Sequence, residues 1–413
     1  MGVAERLKAV WGRLAFPLAF TSLVAAFVIG QIAALPDFRA LLQERLPDST
    51  LTLLTEAEGG QIVFRDETAG NYVIISAAEG YGGPLAIGIR ASGEGKIAEI
   101  LDLDNKETPS FFDKLLKKRF FEQFAGKTVS DDFLLGEDID AVSGATVSSR
   151  AYTAAVGDAM HIAATEHFKL QPTWKQEELL FGIQEMGLIG VFVLAFVVSY
   201  ARGPVAKYGK FVMPVVALAF VGIYTNTSVS IAQLAGILLG YIPDFRQHLL
   251  WWVMMAGVIG SVVVLGRNIY CGQVCPFQYV QRGLNKISGV NLAVRPGIQK
   301  SARTAVGWMT WTSLMLIFLS AHPGLGSYEP FAMMFSLAGA GVQWYILPLS
   351  LVGSFFILNF WCRLFCPVGL VLNEGVRFRK SLLQRITSRV RPSPEIEAAS
   401  PNDKGDLWRK DES

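Results

Sequence analysis

One polar block set between apolar runs long enough to cross a bilayer constrains this chain more than any other feature. Residues 14–35 form an apolar run of about 20 residues, the length a helix needs to span the hydrocarbon core. Further apolar runs follow at Leu179–Tyr200, Phe211–Tyr224, Leu249–Leu265, Ala305–Ala321 and Tyr345–Trp361. Of the 413 residues, 51% are hydrophobic and 17% charged, a balance that suits a multi-pass membrane protein. Basic residues orient it. Arg6, Lys8 and Arg13 precede the first run, and Arg267 to Arg303 holds Arg267, Arg282, Lys286, Arg295, Lys300 and Arg303 with no acid. Positive loops stay in the cytoplasm. The expectation is therefore about six spans across the bacterial inner membrane, with both termini in the cytoplasm and the polar block outside. A cleaved signal peptide is the rival reading of the first run, which is longer than a usual signal core and lacks a clear cleavage site. Ile231–Ile242 is short for a span and is expected to be re-entrant or an outer-surface helix. The expected division is 1–35 N-terminus and anchor, 36–178 outer domain, 179–380 membrane domain, and 381–413 a charged, Pro-containing disordered tail.

Within the polar block the pattern first reads as strands. Leu51–Thr55, Gln61–Arg65, Asn71–Ser76, Leu85–Ile89 and Lys96–Leu103 are short apolar or alternating runs, separated by turn signals such as Glu79 to Pro84 and Ser92 to Gly95. A helix from about Ser110 to Phe124 is expected to bury Phe112, Leu115, Leu116, Phe120 and Phe124 and to turn Lys114, Lys117, Lys118 and Arg119 to water. A second, from Ser148 to His167, carries Ala151, Ala154, Ala155, Ala159 and Ile162 on one stripe. The fold class is α+β with an antiparallel sheet, joined to an all-α membrane domain. Between sheet and second helix lies Asp140-Ala-Val-Ser143-Gly144-Ala145-Thr146. Gly144 admits close approach of a ligand to the backbone, Ser143 and Thr146 supply hydroxyls, and a helix N-terminus favours phosphate. The bland alternative is an ordinary strand-to-helix turn with a Ser cap.

That run resembles the flavinylation motif, Asp-x-x-Ser/Thr-Gly-Ala-Thr, of the FMN-binding domain in the NqrC/RnfG/NosR family. The resemblance implies FMN joined to Thr146 through a phosphoester bond by a separate flavin transferase. It makes Asp140, Ser143, Gly144 and Ala145 the recognised motif. Gly80 to Pro84, Gly95-Lys-Ile97, Lys106-Glu107-Thr108-Pro109 and Phe121 to Lys127 are similar to other stretches of that domain. The family's Glu-Thr-Pro loop lies near the flavin ring, so Glu107, Thr108 and Pro109 become cofactor-binding candidates. The glycines that usually follow are replaced here by Ser110-Phe111-Phe112. Taken alone, Glu107 to Pro109 also fits a Pro-started helix.

The four Cys form two Cys-x-x-x-Cys-Pro units, Cys271/Cys275-Pro276 and Cys362/Cys366-Pro367, each where an apolar run meets a basic segment. Thiolates suit an iron–sulfur cluster or zinc, and a reducing compartment disfavours disulfides. A spacing of four puts each pair on one helical face, and the two pairs are expected to complete one site. Small apolar residues near Pro-broken helix ends are the alternative. With an outer flavin domain, this arrangement resembles the NosR and PceC-type membrane flavoproteins. Long NosR proteins end in ferredoxin-like Cys motifs; no Cys follows Cys366, so a short form with a separate donor protein is expected.

No catalytic residue is assigned. Phosphate-binding nucleotide loops, dinucleotide fingerprints and nucleic-acid modules are lacking in the sequence. Glu185 reads as an interfacial acid, and His161 and His167 as solvated helix residues. The Trp and Phe residues read as bilayer anchors, and Tyr224–Ser230 as a polar break without a specific signal. The leading expectation is electron transfer between a quinol or cytoplasmic donor and an extracytoplasmic reductase or its maturation system, rather than an enzyme with its own small substrate. The alternatives are a redox sensor or regulator, as the NosR resemblance implies, and an assembly factor.

Overall fold

The computed structural model describes residues 3–33, 37–56, 62–80, 82–107, 109–170, 174, 181–246, 248–337 and 341–390. It has an N-terminal β-sheet domain and a helical C-terminal part. The sheet is an antiparallel meander in sequence order, β1 Leu51–Glu56, β2 Ile62–Asp66, β3 Asn71–Glu79, β4 Pro84–Ala91 and β5 Ile97–Asn105. All five expected strands are present, shifted at their ends by a few residues.

Alternation along the strands sends side chains to two cores. Val73 and Ile75 of β3 face α2 (Phe38–Arg45), where Leu42 is fully buried with Phe64 and Leu103. Ile74 on the opposite face joins Ile87, Ile89 and the helices α3 (Pro109–Lys117) and α4 (Thr146–Glu166). The sheet is thus sandwiched between helices. Helix α2 escaped the sequence reading; its signal is Asp37, whose carboxylate caps the N–H groups of Arg39 and Ala40 at 3.1 and 3.2 Å. The helix expected over 110–124 is broken. It ends at Lys117, Arg119 takes a left-handed φ of 54°, and Phe120–Phe124 continues as a 3₁₀ turn. Both Phe120 and Phe124 are buried, so aromatic packing sets the break. On α4, Ala151, Ala155 and Ala159 are buried as expected, with Tyr152, Val156 and Met160, so the helix is enclosed on more than one stripe.

The helical part runs α5 (Ile183–Tyr200), α6 (Pro204–Val216) continued by a π-helix (Ala217–Tyr224), α7 (Ile231–Leu239), α8 (Leu249–Val263), α9 (Pro276–Ser288), α10 (Pro296–Ser320), α11 (Phe331–Ser336), α12 (Gln343–Phe356), α13 (Phe360–Leu364) and α14 (Pro367–Val390). Against the six spans expected, two of the described helical stretches, Ile183–Tyr200 and Pro204–Tyr224, are long and apolar enough to cross a membrane. A third counts only if α1 (Val3–Ala33) from Pro17 is joined to the bent α2, and Leu42 commits α2 to the sheet. The reasons are local. Helix α8 has 15 residues and α12 has 14 with Pro348 inside, so each reaches only about 21–23 Å at 1.5 Å per residue. Helix α10 is long enough at 25 residues, but its first turns carry Lys300 and Arg303. It packs along α1, where a Cβ on Gly30 would collide with the Phe318 carbonyl. Small residues permit such close helix crossings.

The segment 231–242 forms a nine-residue helix, α7, begun by a Ser230/Gln233 capping box and ended by left-handed Gly240. It is far too short to span. The chain before it folds back on the π-helix, with Thr225 N–H donating to Phe220 O at 2.9 Å and Thr227 N–H to Val221 O at 3.2 Å. Val229 N–H then reaches the Tyr270 hydroxyl at 2.8 Å. The chain thus folds back on itself, and the buried Glu329 carboxylate accepts from Ile231 N–H at 2.7 Å, at the positive end of α7.

Candidate functional site

The flavin-motif loop is held from three sides. Gln123 clamps its start: Asp140 N–H donates to Gln123 Oε1 at 2.8 Å and Gln123 Nε2 donates to Asp140 O at 3.2 Å. The Ser149 hydroxyl accepts from Val142 N–H at 3.1 Å and donates to Ala145 O at 3.1 Å. Lys114 Nζ donates to Gly144 O at 3.3 Å. Gly144 has φ +75°, and a Cβ there would meet Lys114 Nζ at 2.9 Å. The backbone conformation calls for glycine, whereas the flexible lysine tip can move aside. Thr146 is the first residue of α4, whose N-cap Ala145 offers no side-chain oxygen. The first N–H groups of that helix are therefore open to an anion.

Lys114 is the main correction to the sequence reading, which turned it to water. It is half-buried, and burial lowers its ammonium pKa from the ordinary value. Its neighbours are Phe111, with Nζ 5.8 Å from the ring centre, and the motif carbonyl. A lysine beside a helix N-terminus makes a phosphate seat on its own chemistry.

Ser143, Gly144, Ala145 and Thr146 open into a cavity of about 420 Å³, within the range of ligand pockets. Phe111, from the segment that replaces the family's glycines, also lines it, as do Lys114, Ser148 and Arg150. Asp140, Glu107 and Pro109 do not. Asp140 anchors the loop through its backbone. Glu107 is 1% exposed, and its carboxylate accepts from Gly82 N–H at 2.9 Å. A Cβ on Gly80 would meet its other oxygen at 2.7 Å. Glu107 therefore braces the turn between β3 and β4. Pro109 opens α3. Thr108 lies outside the described residues.

The far wall comes from the helical part: Gln184, Glu185, Tyr224 to Thr227, Gln233, His248 and Trp251. Glu185 is the N3 residue of α5 and accepts from Gly182 N–H at 3.0 Å. Trp251 is thus a cavity residue rather than a bilayer anchor. His161 and His167 are not simply solvated: His161 bonds Asp131 O at 2.9 Å and stacks on Trp174 at 4.1 Å, and His167 stacks on Tyr72 at 6.1 Å.

At the other end of α8 the four Cys converge. All are free thiols; Cys275 and Cys366 are buried. Cys271 sits in a π-helical turn, Tyr270–Val274, and Cys275 is extended at its end. The expected sharing of one α-helical face is therefore replaced by a wider turn. Pro276 and Pro367 each begin the next helix. Gln281 Nε2 donates to Cys362 Sγ at 3.1 Å, and Gly369 N–H to Cys366 Sγ at 3.3 Å. Asn268 Nδ2 donates to Asn373 Oδ1 at 3.1 Å, tying the segments that carry the two pairs. Each thiol lies within electrostatic reach of the other three. Among the described residues, no three Cys, His, Asp or Glu side chains are gathered tightly enough to hold a single metal ion. The case for one site rests on mutual proximity and on the chemistry of four thiols.

Residues 80–161 match the FMN-binding domain family, and residues 247–295 with 345–383 match the 4Fe-4S binding domain family. Both Cys pairs fall inside the second match. One chain thus carries matches to a flavin-binding domain and an iron–sulfur domain, two kinds of electron-carrying module. In joining the two, the chain is similar to the NosR and NirI proteins. It is 23% identical over 227 residues to the regulatory protein NosR of Stutzerimonas stutzeri, 50% of this chain and 30% of that protein. To protein NirI of Paracoccus denitrificans it is 26% identical over 165 residues, 37% of this chain and 24% of that one. To a component of the ion-translocating oxidoreductase complex of Shewanella baltica it is 36% identical over 93 residues, 20% of this chain and 44% of that protein. The chain spans 24–30% of the length of the NosR and NirI relatives it matches.

Proposed function

We propose that this chain carries electrons across the bacterial inner membrane, between FMN held at Thr146 and an iron–sulfur cluster held by Cys271, Cys275, Cys362 and Cys366. In this reading the domains are 36–178, outside, and 179–380, membrane-embedded with about six crossing segments counting the short ones. The basic loops lie inside with both termini. FMN would be joined to the Thr146 hydroxyl by a flavin transferase, its phosphate facing Lys114 and the first N–H groups of α4. Bound flavin supplies exchange of one or two electrons, and the cluster supplies one-electron transfer. The chain's own residues fix position: Gln123 and Ser149 hold the loop, and Gln281 and Gly369 hold the thiols. A quinol or cytoplasmic protein would be the donor, and an extracytoplasmic redox partner or its maturation system the acceptor.

The observation that carries this reading is a continuous link between the two sites. Thr225 to Thr227 line the cavity; two residues on, Val229 N–H donates to the Tyr270 hydroxyl, and Tyr270 lies within electrostatic reach of the Cys275 thiol. A second reading, a redox sensor whose flavin state changes conformation, draws on the printed name of the NosR relatives, "regulatory protein". Proteoliposomes separate the two. A quinol or low-potential donor should reduce covalent flavin, and an acceptor added on the flavin side should turn it over. Reduction without onward transfer supports the sensor. Thr146→Ala should leave no FMN migrating with the denatured chain, and covalent fluorescence persisting in that variant would place the attachment elsewhere.

A further inference from the structure

The 420 Å³ cavity has two walls from different domains. One is the motif loop with the start of α4. The other is the fold-back loop at Tyr224 to Thr227 and the first half of α8. Two buried polar atoms on these walls lack a hydrogen-bond partner: Ser148 Oγ, on a residue 1% exposed, and Asn226 Oδ1. Buried polar groups are almost always paired, so two orphans on residues that line one cavity point to a ligand with polar edges. Asn226 is held at φ 47°, which is tolerated by Asn better than by most residues. Trp251 supplies a large aromatic face to the same space.

We propose that the membrane part completes the flavin site: the tricyclic ring of FMN attached at Thr146 lies in this cavity, against Trp251, with its polar edge toward Asn226. This rests on the attachment proposed above. The ring offers a flat aromatic face, carbonyl acceptors and one imide N–H. An unpaired amide oxygen suits that N–H, and an indole suits the face. The phosphate then remains with Lys114 and α4, and Ser148 faces the chain between phosphate and ring.

The test uses the full chain, co-produced with a flavin transferase and purified in detergent. Flavin fluorescence and its quenching by iodide are measured for wild type, Trp251→Leu, Trp251→Phe and Asn226→Gly; glycine keeps the backbone free to adopt positive φ. In wild type the fluorescence is expected to be strongly quenched and poorly accessible to iodide. Trp251→Leu should raise it several-fold, Trp251→Phe should lie between, and Asn226→Gly should shift the visible absorption band and raise iodide access. Attached flavin whose fluorescence, spectrum and iodide access are unchanged in both Trp251→Leu and Asn226→Gly overturns this inference and leaves the electron-transfer reading standing. Wild-type chain without covalent flavin overturns both. Should Trp251→Leu not fold, Asn226→Gly alone decides the matter.

Discussion

At the scale of single residues, two positions in the N-terminal domain carry more than their size suggests. Gly144→Ala puts a Cβ into a left-handed backbone and onto Lys114. The conformational penalty alone is about 1–2 kcal/mol. The expected result is a loop that no longer closes over its ligand, read as lost covalent FMN with a modest fall in melting temperature. Asp66 is the second. Burial works to raise its pKa, but the Ser49 hydroxyl, the N–H groups of Ala69 and Thr68, and the charge of Arg90 outweigh it, and the carboxyl ends below its ordinary value. It is 0% exposed, with Ser49 Oγ at 2.8 Å. A lowered folded pKa means that the unfolded chain binds the proton more readily. The stabilisation is therefore present above the ordinary carboxylate range and disappears as pH falls through the lower folded value. Asp66→Asn should flatten acid unfolding in that window; an unchanged acid limb would show that Asp66 contributes nothing. The motif glycine was readable from sequence because backbone demands leave a residue-type signature. Lys114 was not, because helical periodicity shows which face a lysine occupies and not what another loop brings over it.

Elements teach a different lesson. The five strands were legible because alternation and turn residues are local signals. The break at Arg119 was not, since it is imposed by Phe120 and Phe124 packing into a core assembled from distant segments. The helices of the C-terminal part were only partly legible. Apolar runs marked where they lie, but the π-helix at Ala217–Tyr224 and the return at Thr225–Ser230 depend on partners such as Tyr270 and Glu329 that periodicity cannot name. Gln123, in the 3₁₀ turn, tests how one element positions another. Its two hydrogen bonds to Asp140 are the anchor at the start of the motif loop. Gln123→Ala should cost about 1–3 kcal/mol by differential scanning fluorimetry and should lower flavin loading, whereas Gln123→Glu, able to accept but not donate, should fall between.

For the whole molecule, the decisive question is whether the thiols make one centre. Their mutual reach predicts that Cys271→Ser or Cys362→Ser alone removes most of the iron, and that the double variant removes little more. Half-losses that add would mean two separate sites, and iron unchanged by either variant would mean that the cysteines are structural. Sequence supplied the four residues and their matched placement; it did not supply the link through Val229 and Tyr270. That link has a consequence for energetics. The cavity is lined from the first half of α8, by Leu250, Trp251, Met254 and Met255, and the thiols come after its last turn, so a path between them leads from one end of α8 toward the other. On the proposed orientation, this path runs along the membrane normal. An electron exchanged between the two centres then moves through part of the transmembrane voltage, which is worth about 2.3 kcal/mol per elementary charge per 100 mV for a full crossing. The redox balance between flavin and cluster would thereby be tied to the energised state of the membrane, so that collapse of the voltage redistributes electrons within a single chain without any change in its partners.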